Sequence, residues 1–323
     1  MDKTLHINYQ PAQESNWTGR VSNPELDNQY WYQEIILSDL DDIGQEKIDF
    51  GLIGYACDEG VSRNLGRPGA QQGPTVLRER LSKIPIHFKQ KKVADFGDLI
   101  CKENDMEACQ DALARTIEAL ISNSIFPIAI GGGHDIAYGH FKGIYNALNR
   151  NADKKIGIIN FDAHFDLRPV EDKPNSGTPF NQILNEFDGV SYFAVGIQQQ
   201  ANTKELFDIA QKHYVPYALH DECESDEKAV EALKAKLQPF IDSNNYLYIT
   251  VDLDGFSSAY APGVSAPSPL GFDPAFFFKI LSYLLSSSKV KSVDLAELNP
   301  SLDRDNQTAT LAARIVDFVV ENA

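Results

Sequence analysis

The sequence predicts an α/β protein built on one largely parallel sheet, and two observations carry that prediction. From Asp49 onward, short apolar runs rich in β-branched and aromatic residues alternate with longer stretches whose apolar positions recur at helical spacing. That alternation marks a parallel sheet with helices on both faces. The chain, with 323 residues, 43% hydrophobic content and 18 Phe, can also bury such a sheet, and no repeat, linker or low-complexity stretch divides it. Roughly eight strands are expected by this reading. Residues 1–45, polar apart from Trp17 and the cluster Tyr30-Trp31-Tyr32, are expected as an N-terminal arm packed on a single domain spanning 46–323.

The elements follow in order. Phe50–Ala56 is a strand, and a glycine-rich loop runs from Glu59 to Gly73. Pro74 then opens a helix reaching Leu81, since proline is tolerated in a first turn. Val93–Phe96 is a short strand, and Met106–Ile121 is a helix with Leu113, Ile117 and Leu120 on its apolar side. Ile125–Ile130 is a strand ending in Gly131-Gly132-Gly133, and Ile136–Leu148 is a helix. Strands are expected at Lys155–Ile159, Tyr192–Gly196, Val215–Ala218, Tyr246–Leu253 and Val290–Leu295. Helices are expected at Lys204–Lys212, Glu227–Ile241, Asp273–Ser286 and Thr308–Val320.

Charge narrows the partners. With 29 basic and 46 acidic residues the net charge is −17, which argues against nucleic acid and anionic membrane as partners. A small anionic substrate requires only a local cationic pocket. No run of about 18 apolar residues is present, and Met1-Asp2-Lys3-Thr4 does not open a secretory signal. Cys57, Cys101, Cys109 and Cys223 lack paired spacing and read as free thiols of a reducing compartment, so the cytoplasm is the expected location.

In such sheets ligands bind beyond the carboxyl ends of the strands. Sorting the polar residues by that rule gathers a specific set. His134 follows the strand ending at Ile130, and Asp162, His164 and Asp166 follow the strand ending at Ile159. Asp252 and Asp254 end the strand from Tyr246, and Glu297 follows Val290–Leu295. Residues two apart in an extended chain point the same way. Asp162, His164 and Asp166 are therefore expected on one face, as are Asp252 and Asp254. Taken singly, each motif also reads as acids capping a strand end, and the triple glycine as a phosphate loop. It lacks the Lys-Ser/Thr of a P-loop and the spacing of a dinucleotide fingerprint. Together, two His and four Asp form a ligand set for two oxygen-preferring divalent ions, better suited to Mn²⁺ than to Zn²⁺. Two such ions about 3.5–4 Å apart can acidify a water to hydroxide near neutral pH.

His134 in Gly-Gly-Gly-His-Asp, Asp162-Ala163-His164-Phe165-Asp166 and Asp252-Leu253-Asp254 resemble, in order and spacing, the three metal motifs of the ureohydrolase (arginase and agmatinase) family. The resemblance spans nearly all of residues 45–320. It implies a three-layer α/β/α domain around an eight-stranded parallel sheet, two Mn²⁺ per chain, and a symmetric homo-oligomer. It places one ion on His134, Asp162, Asp166 and Asp252, and the other on Asp162, His164, Asp252 and Asp254, with Asp162 and Asp252 bridging. It gives Glu297, in Glu-x-Asn-Pro, the role of gripping the cationic amidine of a substrate.

Within that family, Ala261-Pro262-Gly263-Val264-Ser265-Ala266-Pro267 is similar to the formimidoylglutamases of histidine degradation. So are Asn64-Leu65-Gly66-Arg67-Pro68-Gly69-Ala70, Phe165-Asp166-Leu167-Arg168-Pro169 and Asn175-Ser176-Gly177-Thr178-Pro179-Phe180. The loop after Gly177 lacks the histidine that arginases use as a proton shuttle. The implied reaction is hydrolysis of N-formimidoyl-L-glutamate to L-glutamate and formamide by a metal-bridging hydroxide. Asp166 and Asp254 are the candidates to supply the proton to the departing amine. Urea release by an arginase-, agmatinase- or guanidinobutyrase-like activity is the alternative. A substrate with two carboxylates requires basic residues at the rim, where an arginine fork suits a carboxylate. Arg168, Arg63 and Arg67 are the candidates, with Ser176 as a further polar contact.

Overall fold

Strands form here where the chain is apolar on both sides of the backbone, and helices where it is apolar on one. The computed structural model describes residues 9–23, 25–26, 28–88, 90–149 and 154–323. The strands are β1 (Tyr9–Gln10), β2 (Ile36–Leu37), β3 (Phe50–Ala56), β4 (Val93–Ile100), β5 (Phe126–Ile130), β6 (Ile156–Phe161), β7 (Val190–Ile197), β8 (Tyr217–Leu219), β9 (Tyr246–Asp252) and β10 (Val290–Ala296). They join in one sheet of order β1-β4-β3-β5-β10-β9-β6-β7-β8, with β2 also on β4. The eight from β3 to β10 pair in parallel.

Two edge strands extend the expected count of eight. β1 pairs antiparallel with Leu99 and Asp98, and β2 pairs parallel with Ala94 and Asp95. Both come from the N-terminal arm, and two-residue strands are too short to leave a periodicity in the sequence. β4 runs past Phe96 because Gly97 takes φ 79° at a register shift, after which pairing with Gly54–Ala56 resumes. A Cβ on Gly97 would lie 2.2 Å from the Gln10 carbonyl oxygen. The helix Pro179–Glu186, opened by its proline, was also not anticipated.

Side chains alternate across the sheet into two apolar layers. One side carries Leu52, Ile128, Ile159, Val251 and Val293 against the helices Gly73–Leu81, Glu227–Ser243, Pro274–Leu285 and Gln307–Asn322. The other carries Ile53, Ala129, Ile158 and Tyr248 against Met106–Ser122, Ile136–Leu148, Pro179–Glu186 and Lys204–Lys212. No helix among the described residues is long and apolar enough to cross a membrane, and all four cysteines are free.

The edge at β4 is tied by charge. Arg78, fully buried, donates to Asp95 at 2.8 Å, to Asp98 at 2.5 Å and to the Gly97 carbonyl at 2.8 Å. The Trp17 indole N–H donates to the other oxygen of Asp95 at 2.8 Å, and the Trp31 indole N–H to Asp317 at 2.6 Å. These contacts seat the arm. Removing one partner of a buried ion pair strands the other. Arg78→Ala is therefore expected to cost about 3–5 kcal/mol in urea denaturation, and a loss within 1 kcal/mol, roughly the noise of a surface change, contradicts this role for Arg78.

Candidate metal centre and substrate cavity

The sheet order brings the chemistry together. β5, β10, β9 and β6 are consecutive neighbours, and their carboxyl ends deliver His134, Glu297, Asp252 and Asp162 to one rim. The glycine run after β5 threads between adjacent strands. Gly131 donates to Leu295, Gly132 to Tyr55 and Gly133 to Cys57, at 2.7–2.9 Å. A Cβ on Gly132 would meet the Cys57 carbonyl oxygen at 1.7 Å, so only glycine fits there. Glu297 returns the contact. Its amide donates to the Gly132 carbonyl at 2.8 Å, and its Oε1 accepts from the His134 amide at 3.0 Å.

The extended-strand picture of Asp162, His164 and Asp166 needs correction. β6 ends at Phe161, the chain bends through Asp162–His164, and Asp166 takes a left-handed φ of 50°. Asp162 is held from several sides: its Oδ1 accepts from the His164 amide at 2.7 Å and its Oδ2 from Asn160 Nδ2 at 3.0 Å. The bent loop, rather than a two-residue repeat, converges the ligands. Glu297, at φ 68°, is likewise in the left-handed region, a conformation that non-glycine residues rarely adopt.

Two clusters result. His134 Nδ1 lies 3.2 Å from Asp162 Oδ2, 2.9 Å from Asp166 Oδ2 and 3.2 Å from Asp252 Oδ2. His164 Nδ1 lies 3.4 Å from Asp162 Oδ1 and 3.2 Å from Asp254 Oδ2. Each cluster keeps its ligand atoms within 4.8 Å of one another. Asp162 belongs to both, one oxygen to each. Asp252 joins only the first, and its Oδ1 accepts from the Asp254 amide at 2.8 Å.

Electrostatics shows what this arrangement lacks. Burial, then the negative charges of Asp254 and Asp162, push Asp252 well above the ordinary carboxylate range. Burial raises Asp254 to about 6 despite His164, and burial with Asp254 raises Glu297 to about 8. Burial alone would depress His134, but Asp162, Asp166 and Asp252 outweigh it and hold the imidazole well above its usual value. Asp254 Oδ1 is buried without a hydrogen-bond partner, and so is His134 Nδ1, whose neighbours are carboxylates. Orphaned lone pairs and crowded carboxylates fit two divalent cations, which would satisfy both at once.

A cavity of about 320 Å³ opens above the clusters. His134, His164, Asp166, Asp252, Asp254 and Glu297 face it, as do Arg67, Arg168 and Ser176, while Asp162 lies beneath, fully buried. The arginines differ. The Arg168 guanidinium, exposed at the mouth, makes no hydrogen bond or ion pair among the described residues. Arg67 is tied to the carbonyls of Ser265 and Val264, both at 2.9 Å. Arg63 lies outside the cavity. Its guanidinium binds Glu107 at 2.7 Å, Glu59 at 2.9 Å and the Pro174 carbonyl at 3.1 Å. Ser176 accepts from Asn64 Nδ2 at 3.1 Å. Sequence reasoning missed Asn64 at this wall, Asn160 under Asp162, and Thr250, 2.9 Å from His134 Nε2. Asn160, two residues before Asp162, and Asn64, at the head of the Asn-Leu-Gly-Arg-Pro-Gly-Ala stretch, carried readable signals.

The charges set a pH dependence. Asp254 and Glu297 hold protons in the folded chain, near 6 and 8, that they release on unfolding, where ordinary values are about 4. The folded state then binds more protons, so its stability falls as pH rises through this window. Chelator-stripped protein is expected to lose melting temperature from about pH 5 to about pH 8. Manganese-loaded protein should gain it, because ligands must be deprotonated to bind. Parallel melting curves with and without metal contradict this account.

A family model described as the Arginase family matches residues 48–320. Formimidoylglutamase of Geobacillus kaustophilus is 40% identical over 309 residues, covering 94% of each chain. The crystal structure of formimidoylglutamase from Bacillus subtilis superposes with a TM-score of 0.83 at 24% identity, over 94% of each chain. A variant of Trypanosoma cruzi formiminoglutamase solved with Mn²⁺ superposes at 0.76 with 26% identity, over 88% of this chain and 97% of that one. Family match, fold and site geometry agree, and the chain belongs to the arginase family.

Proposed function

We propose that this chain hydrolyses N-formimidoyl-L-glutamate to L-glutamate and formamide, a step of histidine degradation, with two manganese ions per chain. The observation that carries the reading is the cavity's polarity. Its floor is acidic and gathers a cation with Glu297, while its mouth offers the unengaged Arg168. An amidine that also bears two carboxylates matches that gradient end to end. The name shared by relatives at 39–40% identity supports the same substrate.

His134, Asp162, Asp166 and Asp252 would hold one ion, and Asp162, His164 and Asp254 the other. When bound, the pair supplies a hydroxide-like nucleophile near neutral pH and neutralises charge developing in the transition state. The remaining work belongs to side chains. Glu297 grips the formimidoyl nitrogens and orients the carbon towards the floor. Arg168, with Arg67 and Ser176, receives the carboxylates and fixes the far end. Addition of water to the formimidoyl carbon, followed by cleavage of its bond to the α-nitrogen, yields formamide and an amine that requires a proton. Asp254 and Asp166, both facing the cavity, are the candidates to carry that proton. Arg63, its donors held by acids and a carbonyl, maintains the wall rather than binding substrate.

Manganese-loaded protein should release formamide from N-formimidoyl-L-glutamate and no urea from arginine or agmatine. Urea release without formamide release overturns the assignment. Arg168→Ala should lower kcat/KM about 10–100-fold, mainly through KM, because one charge-assisted contact is lost. An unchanged KM removes Arg168 from carboxylate recognition.

A further inference from the structure

The penultimate residue of β6, Asn160, is fully buried. Alternate residues of a strand share a side, so Asn160 lies on the face of Ile158, in the apolar layer that also holds Phe180 and Tyr192. In the parallel register Tyr192 of β7 sits opposite Ile158, two residues before Asn160. The Asn160 amide is used unevenly. Its nitrogen donates twice, while its oxygen is buried with no hydrogen-bond partner. Burying an unmatched carbonyl oxygen costs stability. An asparagine here is therefore explained by what its nitrogen holds.

The direction of each bond is fixed by groups that can only accept or only donate. The Phe165 carbonyl can only accept, so the Tyr192 hydroxyl donates to it, at 2.9 Å. With that proton committed, the Tyr192 oxygen accepts from Asn160 Nδ2 at 3.0 Å. The second proton of the same nitrogen goes to Asp162 Oδ2, also at 3.0 Å. Turning the amide over would set its oxygen against a committed hydroxyl and a carboxylate, which offer it no donor. Tyr192 is itself seated. It stacks on Phe180 with centroids 4.4 Å apart, and Phe180 packs edge-on against the His134 ring at 5.4 Å. Asp162 Oδ2 is the oxygen that lies 3.2 Å from His134 Nδ1, in the first cluster. A carboxylate oxygen has two lone pairs, so it can accept from Asn160 and still face a cation.

We propose that Asn160 is a positioning residue for the first cluster. Braced by Tyr192, its amide ties the Asp162 carboxylate to the Phe165 carbonyl, and so fixes Asp162 Oδ2 relative to the stretch that carries Asp166. One nitrogen thereby spans the loop between two ligands of the same site, and its geometry sets cation affinity there. The inference rests on the two-cation reading above, but not on the identity of the substrate. Carboxylates that bind metals are generally hydrogen-bonded in turn, and losing such a partner costs about 10–100-fold in metal affinity.

The test is a manganese titration of the full chain, followed by the electron paramagnetic resonance signal of free Mn²⁺. Wild type should bind two ions. Asn160→Leu keeps the size of the side chain but removes both donors. It should weaken one of the two sites about 10–100-fold and change the other far less. Tyr192→Phe removes only the brace and should weaken the same site about 3–10-fold, the worth of one neutral hydrogen bond. Added to Asn160→Leu, it should cost nothing more, because the brace acts through Asn160. If Asn160→Leu does not fold, Tyr192→Phe alone decides, and two wild-type affinities in it overturn the inference. Two wild-type affinities in Asn160→Leu, equal weakening of both sites, or effects that multiply in the double variant also overturn it, with the metal reading intact. A wild-type protein that binds no manganese removes the metal reading and this inference with it.

Discussion

Five carboxylates and two imidazoles meet at the ends of four adjacent strands, and this concentration of buried charge is the constraint on which the structure turns. Asp162, Asp166, Asp252, Asp254 and Glu297 are drawn together where water is scarce and repulsion is poorly screened. The fold tolerates this because the strand order β5-β10-β9-β6 makes the convergence a matter of topology. Local devices then refine it: the glycine run packed on β3, the left-handed residues Asp166 and Glu297, and the backbone amides that hold Asp162 and Asp252. Each fixes a carboxylate in a place where only a cation makes its position favourable.

Around this fixed floor the cavity is walled by loops, which is where arginase-like sites can differ without disturbing the sheet. The loop carrying Asn64 and Arg67 is laced to the Val264–Ser265 segment by the Arg67 guanidinium and to Ser176 by the Asn64 amide. Three separate stretches of sequence thereby become one wall. Arg168 projects from the stretch that also supplies Asp166. The guanidinium proposed to read a carboxylate and a candidate metal ligand are therefore only two residues apart on one loop.

What could be read from the sequence follows from the range of the forces involved. The long strands and most helices were legible because burial on one or both faces leaves a pattern within a few residues, as in Phe50–Ala56, Ile136–Leu148 and Lys204–Lys212. The residues of the two acidic clusters were legible because strand ends share a rim. β1 and β2 were not, since two residues carry no period, and the bend at Asp162 was invisible to a rule about extended chains. Arg63 illustrates the limit well. Glu59, four residues before it, was a readable helical neighbour, but Glu107 is 44 residues further on and only the folded chain brings it close. The contacts His134–Thr250 and His140–Asp294 span 116 and 154 residues, and no local pattern could announce them.

The central claim is that the two acidic clusters exist to hold two cations sharing Asp162. Crystals grown with manganese and measured on both sides of the manganese absorption edge test it most directly. The account predicts two anomalous peaks per chain, one between His134 and Asp166 and one between His164 and Asp254, with Asp162 contacting both. A single peak, or none at saturating manganese, contradicts it.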